Sequence, residues 1–191
     1  MGAETITDAD LSRRCRQGDP EAWRLLIRRL GPLVYRVAVR MVGPGAEAED
    51  ASQETFMRIH RSFDRFDPTR PLAPWAARIC YNVCLSKLGR AATKAGRNTD
   101  AEALARLGDE REPGPEHAAA SSESGAIVTR ALERLAAQDR VLIDLRYREE
   151  LSDAEVAEAM GMPVGTVKTR LHRARAKLKR VLAPIFRAGA R

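Results

Sequence analysis

The chain has 191 residues, of which 44% are apolar, 31% charged and only 5% aromatic, the proportions of a globular protein with room for one domain or two small ones. No run approaches the roughly 18 apolar residues a membrane span needs, and no signal peptide opens the chain, so the expectation is a cytoplasmic protein with no membrane span. The net charge is +7 and the three cysteines, Cys15, Cys80 and Cys84, are an odd number, which argues against a disulfide framework.

Leu, Ala, Arg and Glu dominate, which favours helix over sheet. In chain order, a first helix is expected from Thr7, with Asp10 three residues on as a capping box, to about Gly18. Asp19-Pro20 restarts the helix: Asp caps and Pro takes the first helical position. Trp23, Leu26, Ile27 and Leu30 then recur at helical spacing. Gly31-Pro32 is expected to break that helix, with Leu33 to Val42 forming another. After the Gly43-Pro44-Gly45 loop, a helix runs from about Ala46 to Phe63. Phe66 to Pro74, with prolines at 68, 71 and 74, reads as a loop, and Trp75 to about Arg90 as helix. Cys80 and Cys84 lie one helical turn apart; without a CxxC or HxxxH companion they read as small apolar core residues, and no metal or cofactor is expected.

Residues 96–124 change character. They hold 3 basic and 7 acidic side chains, with scattered Gly, Pro and Ser and no apolar stripe, as in a flexible acidic linker; a short helix at Asp100–Leu107 is the one element expected there. Helices follow at about 126–136, 138–148, 152–160 and 164–186. The expected fold class is therefore all-α, with two small helical domains, 1–95 and 125–187, joined by the flexible linker 96–124.

The last two helices carry the sharpest information. Two helices joined by a short Gly-containing turn, the second basic, have the sequence form of a helix-turn-helix. Residues 160–191 hold 9 basic side chains and no acid, an electrostatic footprint for phosphate. At about 100° per residue, Val167, Leu171, Ala174, Leu178, Val181 and Leu182 form one apolar stripe. Opposite it stand Lys168, Thr169, His172 and Arg173, side chains able to donate to base edges or phosphates in the major groove. A charge run is ordinarily a solvated face; here no interspersed acid neutralises it.

The stretch from Gly161 to Arg175, GMPVGTVKTRLHRAR, preceded by LIDLRY at 142–147, resembles region 4 of sigma-70 family factors, closest to the extracytoplasmic-function (ECF) group. Independently, AEDASQETFMRI at 48–59 resembles region 2.2, and PWAARICYN at 74–82 resembles region 2.4. The resemblance implies an initiation subunit of bacterial RNA polymerase whose partners are core polymerase, through its β′ clamp helices and β flap, promoter DNA, and an anti-sigma factor. It places −35 reading on Lys168, Thr169, His172 and Arg173, with phosphate contacts from Arg146, Arg148 and Arg170. It places core binding on Asp50, Gln53 and Glu54. Recognition and melting of the −10 element fall to Arg78 and Asn82, one turn apart, with Trp75 as stacking platform and the loop Phe66–Pro74 capturing a flipped base; on the residues alone, a Trp at a helix start is more often a core residue. A ligand-controlled helix-turn-helix repressor or activator is the rival from another class; the motif at 48–59 speaks against it. An enzyme is not expected, because no carboxylate/His cluster, phosphate loop or nucleophile motif occurs.

Overall fold

The structure, a computed structural model, describes residues 6–94 and 123–188. Among them are eight α-helices, one 3-10 turn and no strand, as the composition predicts. The first half contains α1 (Asp8–Arg16), α2 (Pro20–Val42), α3 (Ala46–Ser62) and α4 (Leu72–Lys94). The second contains α5 (Glu123–Glu133), α6 (Ala137–Tyr147), α7 (Asp153–Met160) and α8 (Val164–Ala188). The helix expected at Asp100–Leu107 lies outside the described residues.

Local chemistry explains where α1 and α2 begin. Thr7 caps α1 by accepting from the Asp10 N–H at 3.1 Å; the Asp10 carboxylate accepts from the Thr7 hydroxyl. Asp19 caps α2, accepting from the N–H groups of Glu21 and Ala22, with Pro20 at the first position.

Two expectations fail here for physical reasons. Gly31-Pro32 does not break the chain: α2 runs unbroken from Pro20 to Val42. An interior proline costs about 3 kcal/mol. Against that, Leu26, Leu30, Leu33, Val34, Val37, Ala38 and Met41 form one buried face along the whole helix, and each large side chain contributes about 1.5–3 kcal/mol when removed from water. Packing wins. Likewise α4 begins at Leu72, not Trp75. The carboxylate of Asp8, on α1, accepts from the Leu72 N–H at 2.8 Å, so a side chain distant in sequence caps the helix. Pro74 fits in its first turn, where its missing N–H costs nothing. The loop expected over Phe66–Pro74 is correspondingly shorter. It follows the 3-10 turn Phe63–Arg65, and Phe66 itself is buried.

In the second half α7 carries a complete capping box. Ser152 Oγ accepts from the Glu155 N–H, and the Glu155 carboxylate accepts from the Ser152 N–H at 2.7 Å. Gly161 closes α7 in the left-handed region at φ 65°, a conformation glycine adopts without steric cost. α8 then buries Val167, Leu171 and Ala174, the stripe read from the sequence.

The halves are not separate. One continuous apolar core runs from Leu11 to Ala174, with α2 packed on α6 and α4 packed on α7.

Candidate nucleic-acid interface

The helix-turn-helix is formed by α7, the turn Gly161–Pro163 and α8. Because the stripe of α8 is anchored in the core, its opposite face is turned outward: Lys168, Thr169, His172 and Arg173 are all exposed. Thr169 Oγ1 donates back to Gly165 O at 3.0 Å, which fixes its rotamer and leaves its lone pairs outward. This face presents cationic donors from Lys168 and Arg173 beside the Thr169 hydroxyl oxygen, which is left as an acceptor.

The three arginines expected at phosphates sit differently from one another. Arg148 is exposed. Arg146 is half-buried, paired to Asp153 Oδ1 at 3.2 Å and stacked near the Tyr147 ring at 5.7 Å. Arg170 is turned inward: its Nε and Nη2 both lie 2.8 Å from Asp139 Oδ1, and its Nη1 donates to Gln138 Oε1. That fork ties the recognition helix to the start of α6.

On α3, Asp50 and Gln53 are exposed and Glu54 is half-buried, while Ala51, Thr55 and Ile59 turn inward, so the three polar residues share the outer face as their spacing predicts. Glu54 accepts from Arg58 Nε at 2.7 Å, and that bond holds its carboxyl below the usual carboxylate range. Beside this face Trp23, Ile27, Gln53, Phe56, Met57 and His60 line an apolar groove between α2 and α3. Ile27 and Met57 stand about half exposed in it; the helical spacing grouped Ile27 with the stripe Trp23, Leu26 and Leu30, and no pattern singled out Met57.

On α4, Arg78 and Asn82 are both exposed on one face. Trp75 is half-buried and packed into an aromatic cluster, with its ring 4.6 Å from that of Phe66 and 5.7 Å from that of Phe63. Tyr81, one position from Asn82, is buried, and burial pushes its hydroxyl up to about 12.

A set of charges that sequence reasoning missed joins the halves. Arg40 Nε lies 2.7 Å from Asp144 Oδ2, Arg36 pairs with Glu149, and Arg70 pairs with Glu158. Arg78 Nη1 donates to the Glu158 carbonyl at 2.6 Å, at the C-terminal end of α7 where the helix dipole favours a cation. The signal lay in the charge distribution: residues 125–159 hold 8 acids against 5 bases.

Residues 26–93 match the family model described as Sigma-70 region 2, and residues 126–178 match Sigma-70, region 4. The chain is 32% identical over 177 residues to the ECF RNA polymerase sigma factor SigW of Bacillus subtilis (strain 168), covering 89% of this chain and 94% of that one. It is 33% identical over 190 residues to the ECF RNA polymerase sigma-E factor of Escherichia coli (strain K12), covering 97% and 99%. Among solved structures, that of CnrH in complex with the cytosolic domain of CnrY is similar at a TM-score of 0.63 and 28% identity, over 93% of this chain and 97% of that one.

Proposed function

The chain belongs to the extracytoplasmic-function group of the sigma-70 family, and from that premise we propose how its surfaces divide the work of initiation. It confers promoter recognition on core RNA polymerase and adds no catalysis of its own. The domain assignment is residues 1–95 for core and −10 binding, 96–124 as the tether, and 125–187 for −35 binding. The observation that carries this division is the acid-free polar face of α8. Lys168, Thr169, His172 and Arg173 stand together, outward, on the second helix of a helix-turn-helix, the geometry that enters a major groove.

Asp50, Gln53 and Glu54 hold the β′ clamp helices, and the neighbouring groove at Ile27, Phe56 and Met57 supplies apolar anchoring beside them. Arg78 and Asn82 contact the −10 strand. Trp75, packed against Phe66 and Phe63, flanks that face. Arg148 and Arg146 lie where phosphates can be reached. CnrH is solved with the cytosolic domain of a second protein. A protein partner for this chain, an anti-sigma factor engaging both halves, fits two weak sites joined by one linker, which gain effective concentration when both engage.

The test is run-off transcription with core polymerase on a broad promoter library. Core-dependent transcripts are expected; their absence would refute the reading. A repressor or activator would instead bind DNA tightly without polymerase.

A further inference from the structure

We propose that the C-terminal half of α8 is a second DNA contact: Arg175, Lys179 and Arg180 clamp, without regard to sequence, the phosphates of the duplex flanking the −35 element. The inference rests on the proposed reading of the α8 face.

α8 is longer than a major groove requires. Its 25 residues span about 37 Å at 1.5 Å per residue, whereas the groove is about 12 Å wide. Recognition helices read bases with their N-terminal residues. Lys179 lies eleven positions beyond Lys168, about 16 Å further along the axis. A helix whose first turns sit in the groove therefore carries its later turns out to the bounding phosphates.

The later turns keep the same side toward the DNA. At about 100° per residue, Lys168, His172, Arg175 and Lys179 fall in one row within about 60° of each other. Thr169, Arg173 and Arg180 form the adjoining row, within about 40°. All seven are exposed. On the opposite side Ala174 is buried and Leu178 packs against the core, with α5 lying along α8. That packing fixes which way both rows point. The Nε of Arg175 donates to the Leu171 carbonyl at 3.3 Å, which holds the guanidinium at the helix surface and leaves its Nη groups for an outside acceptor.

Nothing within the helix accounts for these charges. Residues 160–191 contain no acid, and Arg170 alone among the described cations of α8 has an ion pair. Arg173–Lys177 and Arg175–Lys179 are like charges one turn apart, an arrangement that destabilises a helix. The helix dipole favours cations only in the last turn, and Arg180 stands eight residues before the end at Ala188. An external polyanion offsets the repulsion. Between Gly165 and Arg180 no large apolar side chain is exposed, so the surface lacks the anchors that a protein or membrane partner would bury. Duplex DNA, continuous with the reading face, fits it.

The test compares wild type with the triple variant Arg175→Gln, Lys179→Gln, Arg180→Gln. The affinity of each holoenzyme is measured across a salt series, for a labelled library-selected promoter fragment and for the same fragment with its −35 element scrambled. The triple variant is expected to lower the log–log salt slope by about 2–3. Between about 50 and about 200 mM salt, wild type should then lose about 40-fold more affinity than the variant. The ratio of selected to scrambled affinity should not change, because phosphate contacts carry no sequence information. Thermal denaturation of the free variant should show a midpoint equal to wild type or higher, since like charges are relieved. If the triple variant melts early, Lys179→Gln with Arg180→Gln replaces it, and a slope loss of about 2 is expected. An unchanged slope in a folded variant would overturn the clamp, and so would a fall in the selected-to-scrambled ratio, which would mark these residues as base readers. A wild-type holoenzyme that binds both fragments equally would refute the function proposed above, and the clamp with it.

Discussion

Arg170 is the residue at which a DNA contact and a structural tie are most sharply opposed, and Arg170→Ala separates them. Its guanidinium meets Asp139 through two 2.8 Å contacts and also bonds Gln138. The pair is 24% and 25% exposed, so solvent weakens it below the 3–5 kcal/mol of a fully buried pair broken on one side. Charge-assisted bonds of this kind contribute about 1.5–3 kcal/mol. After screening, the whole fork contributes about 2 kcal/mol. For a chain of this size that lowers the melting midpoint by about 4–8 °C. The companion assay is the affinity of the holoenzyme for a labelled promoter fragment across a salt series. A residue that neutralises one phosphate reduces the log–log salt slope by about 0.9 when removed; a tie leaves the slope alone. The expectation is a lowered midpoint with an unchanged slope. A slope reduced by about one with unchanged thermal stability would refute the reasoning.

The native thiols should be inert. Cys15, Cys80 and Cys84 are all buried; burial pushes Cys15 up to about 11, and the bond from Cys80 together with burial raises Cys84 as well. Iodoacetamide at neutral pH should label none of them until denaturant is added, and rapid native labelling would contradict their placement. Asp19 is held below the ordinary carboxylate value of 3.8 by bonds from Arg14 and the N–H groups of Ala22 and Glu21. Its stabilising effect is thus complete above 3.8 and lost as pH falls through the lower folded value. Asp19→Asn should therefore flatten the acid limb of the stability profile below about pH 4; an unchanged limb would refute this. Ser152→Ala removes one side of the capping box on α7 and should cost about 1 kcal/mol, read as a lower midpoint in thermal denaturation; no change would show that α7 is held by packing alone.

What was legible in the sequence was whatever a local rule decides. The stripe Val167, Leu171 and Ala174 and the outward set Lys168, Thr169, His172 and Arg173 follow from a 3.6-residue period, and the structure keeps both. Asp19-Pro20 is legible for the same reason: cap and first residue are neighbours. What was not legible depends on partners distant in sequence. Pro32 stays inside α2 because the face on either side of it is buried by α3 and α4. Leu72 begins α4 because Asp8 reaches it from another helix. Arg170 has the spacing of a phosphate contact, and only the fold shows Asp139 beside it. The charge pairs between the halves escaped for a related reason. Arg36 and Arg40 are a turn apart on α2, indistinguishable by pattern from solvated arginines, until α6 is placed against them.

We propose that two separate surfaces of this sigma factor read two promoter elements for core polymerase. It is tested most directly by sequencing transcripts that core polymerase initiates from a randomised promoter library, with wild-type chain and with Arg173→Ala. The wild type should select two conserved elements at fixed spacing. Arg173→Ala should relax preference at one or two positions of the upstream element, by about 1–3 kcal/mol of base discrimination, and leave the downstream element intact. Transcripts without an upstream element, or an Arg173→Ala chain whose upstream preference is unchanged, would contradict it.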